Sequence, residues 1–321
     1  MLKHPPKEKF IERMRLLLND EEDLQKYLKT AESHPRKSFR VNTLKISITD
    51  LKNRLEEKGW KIKQPYKSHP EIMVVENELT PGELGNSLEH RLGYYYIQEI
   101  TSMMPIIALD VNENDSLLDL CASPGSKTTQ AAMFMKNAGV IFANDISIGR
   151  ISILVTNLER CGVTNVIVTR HHGTELCQKM KNHKTYFNKI LIDAPCSGEG
   201  NIRSSPRTFL EWSPGLIKGL SQKQIKLVQK IEAILEKNGE LIYSTCTHAP
   251  EENEEIVQYL IDNGNLEIIS VEHQLPQELR TRPGITTWRG KTFHPTMKNA
   301  VRIYPHDNDL EGFFLCKLRK V

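Results

Sequence analysis

Two cysteines stand where apolar runs break off. Cys246 closes "ELIYSTC" (240–246), just ahead of the acidic "PEENE" at 250–254, and Cys196 follows "KILIDAP" (189–195) in the turn "CSGEG". A thiolate is a strong nucleophile, and attack by one divides a difficult substitution into easier covalent steps. Such a thiol needs cations or a helix N-terminus nearby to hold it ionised. A single cysteine at a strand end is most often a small buried apolar residue. Two of them at strand ends above a ligand pocket point to chemistry. The other four, Cys121, Cys161, Cys177 and Cys316, form no C-x-x-C pair with any neighbour. That spacing argues against a zinc site and, in a reducing compartment, against a disulfide framework.

The pocket is legible in "LLDLCASPGSKTTQAA" (117–132), which runs from a strand through a Pro-Gly turn into a helix. Gly125 lets backbone approach a ligand closely, and the helix start presents unpaired N–H groups. A phosphate-binding loop would need Gly directly before Lys127 and another five residues earlier, where Ser126 and Cys121 stand. The G-x-G-x-x-G dinucleotide pattern is also absent. Downstream, "ANDIS" ends the next strand in Asp145, a carboxylate placed to accept both hydroxyls of a ribose. An adenosyl ligand fits both features.

The elements that must position these residues follow a regular rhythm. Apolar strands at 116–121, 140–145, 166–171, 189–195 and 240–246 alternate with helical stretches, which predicts a doubly wound α/β sheet covered on both faces. Ligands of such sheets lie beyond the carboxyl ends of the strands, where both cysteines stand. "FFLCKLRKV" is expected as a final edge strand. Ahead of this unit, helical spacing over 7–30 precedes a small α/β module with strands in "SFRVNTLKI" and "EIMVVEN" and a helix in "TDLKNRLEEKG", capped by its Thr or Asp. The boundary is expected near residue 92, giving units 1–92 and 93–321.

Composition narrows the class of protein. The chain has 321 residues, 39% hydrophobic, and its apolar runs fall far short of the roughly 20 residues a transmembrane helix needs. No secretory pattern follows the basic N-terminus, so a cytoplasmic location is expected. With 43 basic and 40 acidic residues the net charge is +3, too small to identify a partner. Local clusters say more: "HPRKSFR" sets Arg36, Lys37 and Arg40 beside Phe39, "IRSSPR" carries Arg203 and Arg207, and 280–291 adds another group. Cations beside aromatic or apolar residues suit a phosphate-contacting surface.

"CASPGSKT", "DAPCSGEGN" and "YSTCT" with "PEENE" appear in that order and spacing across 90–321, and the chain thereby resembles the NOL1/NOP2/Sun family of RNA cytosine-5 methyltransferases, in particular the archaeal tRNA enzymes. The resemblance implies a Rossmann-like class I methyltransferase sheet, S-adenosylmethionine as cofactor and no metal. It implies Cys246 as the nucleophile at carbon 6 of cytosine and Cys196 as the residue that assists product release. Asp193 would accept a hydrogen bond from the exocyclic amine of cytosine, and Lys127 would supply positive charge near the base and thiolate. Cofactor contacts would come from Cys121, Ala122, Ser123, Pro124, Gly125, Ser126, Lys127, Asp145, Arg150, His172 and Asp193. His172 stands in "HHG" where the family commonly has "HDG" near the adenine. "RVNTLK" resembles the family's small RNA-binding module. The expected substrate is RNA with its target base flipped out or single-stranded. A compact chain makes tRNA the first expectation and ribosomal RNA the second, acted on by a monomer; a non-catalytic RNA-binding assembly factor on the same fold is the alternative of a different class.

Overall fold

The computed structural model describes residues 5–205 and 207–321. Its smaller sheet is antiparallel, with β1 (Lys37–Val41), β2 (Ile62–Lys63), β3 (Ile72–Val75) and β4 (Tyr95–Ile97) in the order β2-β3-β1-β4. Side chains alternate across β3 as the strand period requires. Met73 and Val75 face the module's own core with Phe39, Leu51, Leu55 and Trp60, whereas Ile72 and Val74 join a core of the larger unit. The module is therefore packed onto its neighbour through one whole face.

The larger sheet has nine strands. Five are parallel: β5 (Ser116–Asp119), β6 (Val140–Asn144), β7 (Val166–Thr169), β8 (Phe187–Asp193) and β9 (Leu235–Thr245). The rest are β10 (Leu266–Ile269), β11 (Arg282–Pro283), β14 (Val301–Ile303) and β15 (Phe313–Lys320); β12 (Thr287–Trp288) and β13 (Lys291–Thr292) form a separate hairpin. The order is β11-β14-β15-β9-β8-β5-β6-β7, with β10 on β15. Leu117, Leu191 and Ile242 pack on one face and Leu118, Ile190 and Leu241 on the other, so the short apolar runs are covered on both sides. The chain winds outward from β5 to β7 and then returns to place β8 on the other side of β5. That reversal opens a crevice at the carboxyl ends. Among the described residues no helix is long and apolar enough to cross a membrane.

Four expectations change. β15 is not an edge strand: it lies between β14 and β9, antiparallel to both, because its alternate residues Phe314, Cys316 and Leu318 have cover only inside the sheet. β4 pairs with β1 from Phe39↔Ile97 to Val41↔Tyr95, so the smaller sheet reaches past residue 92. The first two helices, Glu8–Leu18 and Glu21–Ala31, do not belong to that module's core; Phe10 and Tyr27 pack with Phe209, Trp212 and Tyr304 of the larger unit. The helix Ile48–Glu56 is capped by Ser47, whose hydroxyl accepts from Asp50 N at 3.0 Å, ahead of the Thr and Asp expected to do so.

Candidate active site

The ends of β5, β6 and β7 are fastened together by one side chain. Asn144 donates to Leu120 O and His171 O at 3.1 and 3.0 Å and accepts from Thr169 Oγ1 and His171 N. Beside it, Ala122 N donates to Asn144 O at 2.8 Å and Gly125 N to Ala122 O at 2.7 Å, folding the Pro-Gly turn. Gly125 has φ 101°, and a Cβ there would stand 3.0 Å from Leu154 Cδ1, so both conformation and space select glycine. Arg150 locks the turn from outside: its guanidinium donates to Ser123 O at 2.6 Å and its carbonyl accepts from Ser123 Oγ at 2.7 Å. Beyond these strand ends lies a cavity of about 500 Å³, walled in part by Cys121, Asp145, Arg150, His172, Pro195 and Leu220. The volume is ordinary for a small-molecule site. Asp145 is buried, accepts from Ser147 N at 2.9 Å and lies 3.3 Å from Arg150 Nε.

The thiols occupy the other side of the crevice. β8 and β9 run parallel with Asp193 opposite Ser244, which brings the turns beyond them together. Cys196 Sγ and Cys246 Sγ lie 3.2 Å apart. That contact, in which either sulfur can be the donor, and then burial push the Cys196 thiol well up, which favours Cys196 as the one that keeps its proton. Thr245 Oγ1 bonds Asn253 Oδ1 at 2.5 Å and Asn253 Nδ2 donates to Thr247 O at 2.9 Å, so the chain on both sides of Cys246 is held by one asparagine. Cys246 O accepts from Gly200 N at 2.9 Å. Gly200 O in turn accepts from Gly312 N at 2.8 Å, and a Cβ on Gly200 would stand 2.2 Å from Gly312 O. Burial pushes up Cys121, Cys161, Cys177 and Cys316, as inert thiols require.

Lys127 and Asp193 meet between the two halves. Lys127 Nζ donates to Asp193 Oδ2 at 2.7 Å and to Ser102 Oγ at 2.8 Å, and it lies 5.5 Å above the Phe313 ring. Asp193 Oδ1 accepts from Ser244 Oγ at 2.9 Å. The lysine is buried and the aspartate one-third open, so the carboxylate is what the crevice presents.

Comparison with known proteins places this arrangement. Residues 106–319 match the family described as 16S rRNA methyltransferase RsmB/F, and residues 6–100 match the N-terminal domain of 16S rRNA methyltransferase RsmF. The chain belongs to the RsmB/F family. It is 36% identical over 317 residues to "Ribosomal RNA small subunit methyltransferase F" of Vibrio cholerae and 35% identical over 316 residues to the protein of that name from Erwinia tasmaniensis. Those matches cover 98% and 97% of this chain but 64% and 63% of the relatives, so the chain spans slightly less than two thirds of their length. A methyltransferase homolog protein from Pyrococcus horikoshii superposes with a TM-score of 0.80 at 32% identity, covering 98% of this chain and all of that one. NSun6 from the same organism, solved with SFG, gives 0.83 at 24% identity over 99% of each chain, a likeness of fold.

The methyl donor of RsmB/F enzymes is S-adenosylmethionine, and the cavity suits it. Its lining combines the Asp145 carboxylate, Arg150 and His172 with the apolar side chains of Ile146, Leu220 and Leu227. Of the residues expected to contact the cofactor, Cys121, Asp145, Arg150 and His172 wall the cavity, whereas those at 122–126 form the turn beside it and Lys127 and Asp193 are bonded to each other rather than walling it. His172 immediately precedes the helix Gly173–Asn182 without capping it. Asn144 and the helix Pro214–Val228, which supplies Leu220, Lys223 and Leu227, were not singled out from sequence. Asn144 had a signal, its place directly before Asp145; the helix had none.

The expected RNA surface loses two members. Arg40 is buried, and its guanidinium donates to Gln98 Oε1, to Ser126 O at 3.0 Å and to Thr129 Oγ1 at 2.9 Å. It joins the module to the first turn of the helix behind the cofactor loop. Arg203 is also buried, bonded to Leu310 O, Ser33 O, His34 O and Asp309. A guanidinium has five donors, and carbonyl groups at chain crossings satisfy them as well as phosphates do. Lys37 and Arg207 are exposed; Arg36 is exposed and paired with Asp309 at 2.6 Å. Of the 280–291 cluster, Arg282 is taken up by Asp23 and Asp307, while Arg280 and Arg289 face solvent. Asp23, His306 and Asp307 have spacing that could suit a metal, but the Arg282 guanidinium bonds all three.

Proposed function

We propose that this chain methylates carbon 5 of cytosine in RNA through a covalent adduct, with small-subunit ribosomal RNA as the substrate. The observation that carries the reading is the pair of thiols 3.2 Å apart at the ends of adjacent strands, beside the one-third-open Asp193 carboxylate. The relatives' names favour the ribosomal substrate over the tRNA first expected. Ribosomal RNA is met in the cytoplasm, which agrees with the expected location.

Carbon 5 of cytosine is a poor nucleophile until a sulfur adds at carbon 6. Cys246 supplies that sulfur, and the S–H of Cys196 stabilises its thiolate beforehand. Asp193 accepts from the exocyclic amine, a group that uracil lacks, while Lys127 and Ser244 hold the carboxylate in place. The bound cofactor supplies an electrophilic methyl carbon. Once Cys246 is bonded to carbon 6, it no longer offers the negative acceptor that most strongly holds the Cys196 proton. Cys196 thus becomes more acidic at the stage where a base must remove the proton from carbon 5. Loss of that proton breaks the carbon–sulfur bond and returns the thiolate of Cys246.

The test is transfer of tritiated methyl from the cofactor to 16S rRNA, to assembled small subunits and to tRNA, with the modified base located by bisulfite sequencing. Cys246→Ser is expected to bind cofactor and transfer nothing, because a hydroxyl is a far weaker nucleophile. Cys196→Ala is expected to accumulate a protein–RNA adduct on a denaturing gel. Turnover by Cys246→Ser near wild type overturns the nucleophile; transfer to tRNA alone overturns the ribosomal substrate.

A further inference from the structure

Directly behind the thiols, four buried side chains form a continuous chain of oxygen atoms. Ser197 follows Cys196, Thr247 follows Cys246, Glu199 lies in the first of those turns and Glu252 in the acidic segment after the second. Ser197 Oγ is 2.5 Å from Glu252 Oε1, Ser197 Oγ is 2.8 Å from Thr247 Oγ1, and Thr247 Oγ1 is 3.2 Å from Glu199 Oε2. The hydroxyl–hydroxyl contact ties one cysteine turn to the other, alongside the bond from Gly200 N to Cys246 O.

Three oxygen–oxygen contacts in series need three protons, one between each pair. Ser197 and Thr247 carry two. With both glutamates ionised, one contact is left with lone pairs facing lone pairs, in a place where no water-exposed alternative relieves it. Each buried polar contact of this kind must be satisfied. We propose that the chain holds one additional proton, carried by Glu199, and that this proton sets the spacing of the two cysteine turns.

The surroundings select Glu199 over Glu252. Glu252 accepts not only from Ser197 Oγ but from Ser197 N and Gln224 Nε2, each at 3.0 Å, and three donors favour the charged form. Glu199 has Trp212 Nε1 at 2.6 Å and otherwise only Thr247. Arg13, from the helix Glu8–Leu18, faces Glu199 and favours its ionisation, but Arg13 is itself clamped by both oxygens of Glu251, whose charge acts the other way. Tyr27 reaches only the backbone of Glu199, and Tyr243 only that of Glu252. Burial pushes both carboxyls up, Glu252 to about 7 even with its three donors. With a single proton to place along the chain, the count of donors at each carboxyl assigns it to Glu199. The protons then run in one direction: Glu199 donates to Thr247, Thr247 to Ser197, and Ser197 to Glu252. Thr247 Oγ1 has a lone pair left for Ala249 N at 3.2 Å.

The catalytic consequence rests on the reading that Cys196 and Cys246 carry the chemistry: when the proton is lost as pH rises, the two turns repel at their hydroxyl link and the thiols leave register. The protonation itself is tested without substrate. Infrared difference spectra between wild type and Glu199→Gln at pH 6 are expected to show the carbonyl stretch of one protonated carboxylic acid that the variant lacks, even though other buried acids contribute bands common to both. Thr247→Val, of nearly the same shape, is expected to move that band to higher frequency by removing its acceptor, and serves if Glu199→Gln does not fold. In single-turnover methylation, wild type is expected to lose rate as pH rises through the titration of this carboxyl, approaching tenfold per pH unit above it, relative to Glu199→Gln. Glu199→Gln, whose amide donates permanently to Thr247, is expected to retain activity and lack that fall, whereas Glu199→Ala is not. Identical carboxylic-acid bands in wild type and Glu199→Gln, or in wild type and Thr247→Val, overturn the extra proton. Superimposable pH profiles for wild type and Glu199→Gln overturn its effect on the thiols.

Discussion

Asp119→Asn separates charge from shape at the base of the cofactor loop. Asp119 ends β5, is buried, and accepts from Thr128 Oγ1 at 2.7 Å through one oxygen, while the other has no side-chain or backbone donor at bonding geometry among the described residues. Burial, offset only in part by Thr128, pushes its carboxyl up to about 7 from an ordinary 3.8. An acid with a raised folded pKa binds more protons folded than unfolded between those two values. Stability from this group is therefore present below about pH 4, falls as pH rises to about 7, and is flat above. Three pH units at 1.36 kcal/mol each set a ceiling of about 4 kcal/mol, of which about 2–3 kcal/mol falls between pH 5 and pH 8. Asparagine can accept from Thr128 without ionising, and any cost of its buried amide is constant with pH.

The measurement is urea denaturation of both proteins at pH 5 and pH 8. The stability difference is expected to move in favour of Asp119→Asn by about 2–3 kcal/mol on going to pH 8. Other buried carboxyls that burial pushes up, Glu252 and Glu311 among them, are the same in both proteins and cancel. A difference constant to within about 0.5 kcal/mol, the usual additivity error, would refute the assignment of a raised carboxyl at this position. A destabilising carboxylate kept at the end of the strand that leads into the cofactor loop is the pattern expected where function opposes stability.

Asp145→Ala is expected to weaken cofactor binding by about 1.5–3 kcal/mol, the usual value of hydrogen bonds to a charged acceptor, and titration calorimetry with unchanged affinity removes its role toward the ribose. Arg40→Met is expected to lower stability by about 1–3 kcal/mol by leaving Gln98 Oε1 without its donor, while the slope of log RNA affinity against log salt stays the same. Arg207→Ala, at an exposed cation, is expected to reduce that slope by roughly 0.7–0.9, and the opposite pattern in the two variants reverses their assignments.

The crevice was legible because its parts are local. A strand, a Pro-Gly turn and a helix occupy 117–132 in sequence, and Asp145 follows one crossover later, so spacing alone brings them to neighbouring strand ends. The cysteines were legible for the same reason, each being the first residues past an apolar run. What the sequence hid depends on contacts between distant segments. Arg40 and Arg203 look like surface cations because a run of basic residues does not reveal that the acceptors for their guanidinium groups lie 86 and 170 residues away. β15 looks like an edge because it ends the chain, yet its order in the sheet is fixed by two antiparallel pairings that no periodicity encodes. The helices over 8–31 show their apolar stripes plainly, but not that those stripes fit Trp212 and Tyr304 rather than the adjacent module.

The acidic segment after Cys246 shows why type and position cannot be traded there. Glu251 binds Arg13 through both oxygens and also accepts from Trp288 Nε1, holding the first helix and the β12–β13 hairpin to this turn. Glu252 points the other way, to Ser197 beside Cys196. Asn253 must both donate to Thr247 O and meet Thr245 Oγ1, a combination a carboxylate cannot supply. Glu254 begins the helix Glu254–Asn263 and pairs through both oxygens with Arg302 of β14 at full burial. Removing one member of such a buried pair leaves an uncompensated charge and costs about 3–5 kcal/mol. Four successive side chains thus reach the first helix, the β12–β13 hairpin, the Ser197 turn and β14, and Asn253 fastens them to the turn that carries Cys246. An acidic run that reads as a solvated helix start is buried from Glu252 to Glu254, because each of its charges is matched by a donor brought from elsewhere in the chain. The nucleophile's position is therefore a property of the tertiary structure, and the strand that delivers it sets only its approximate height.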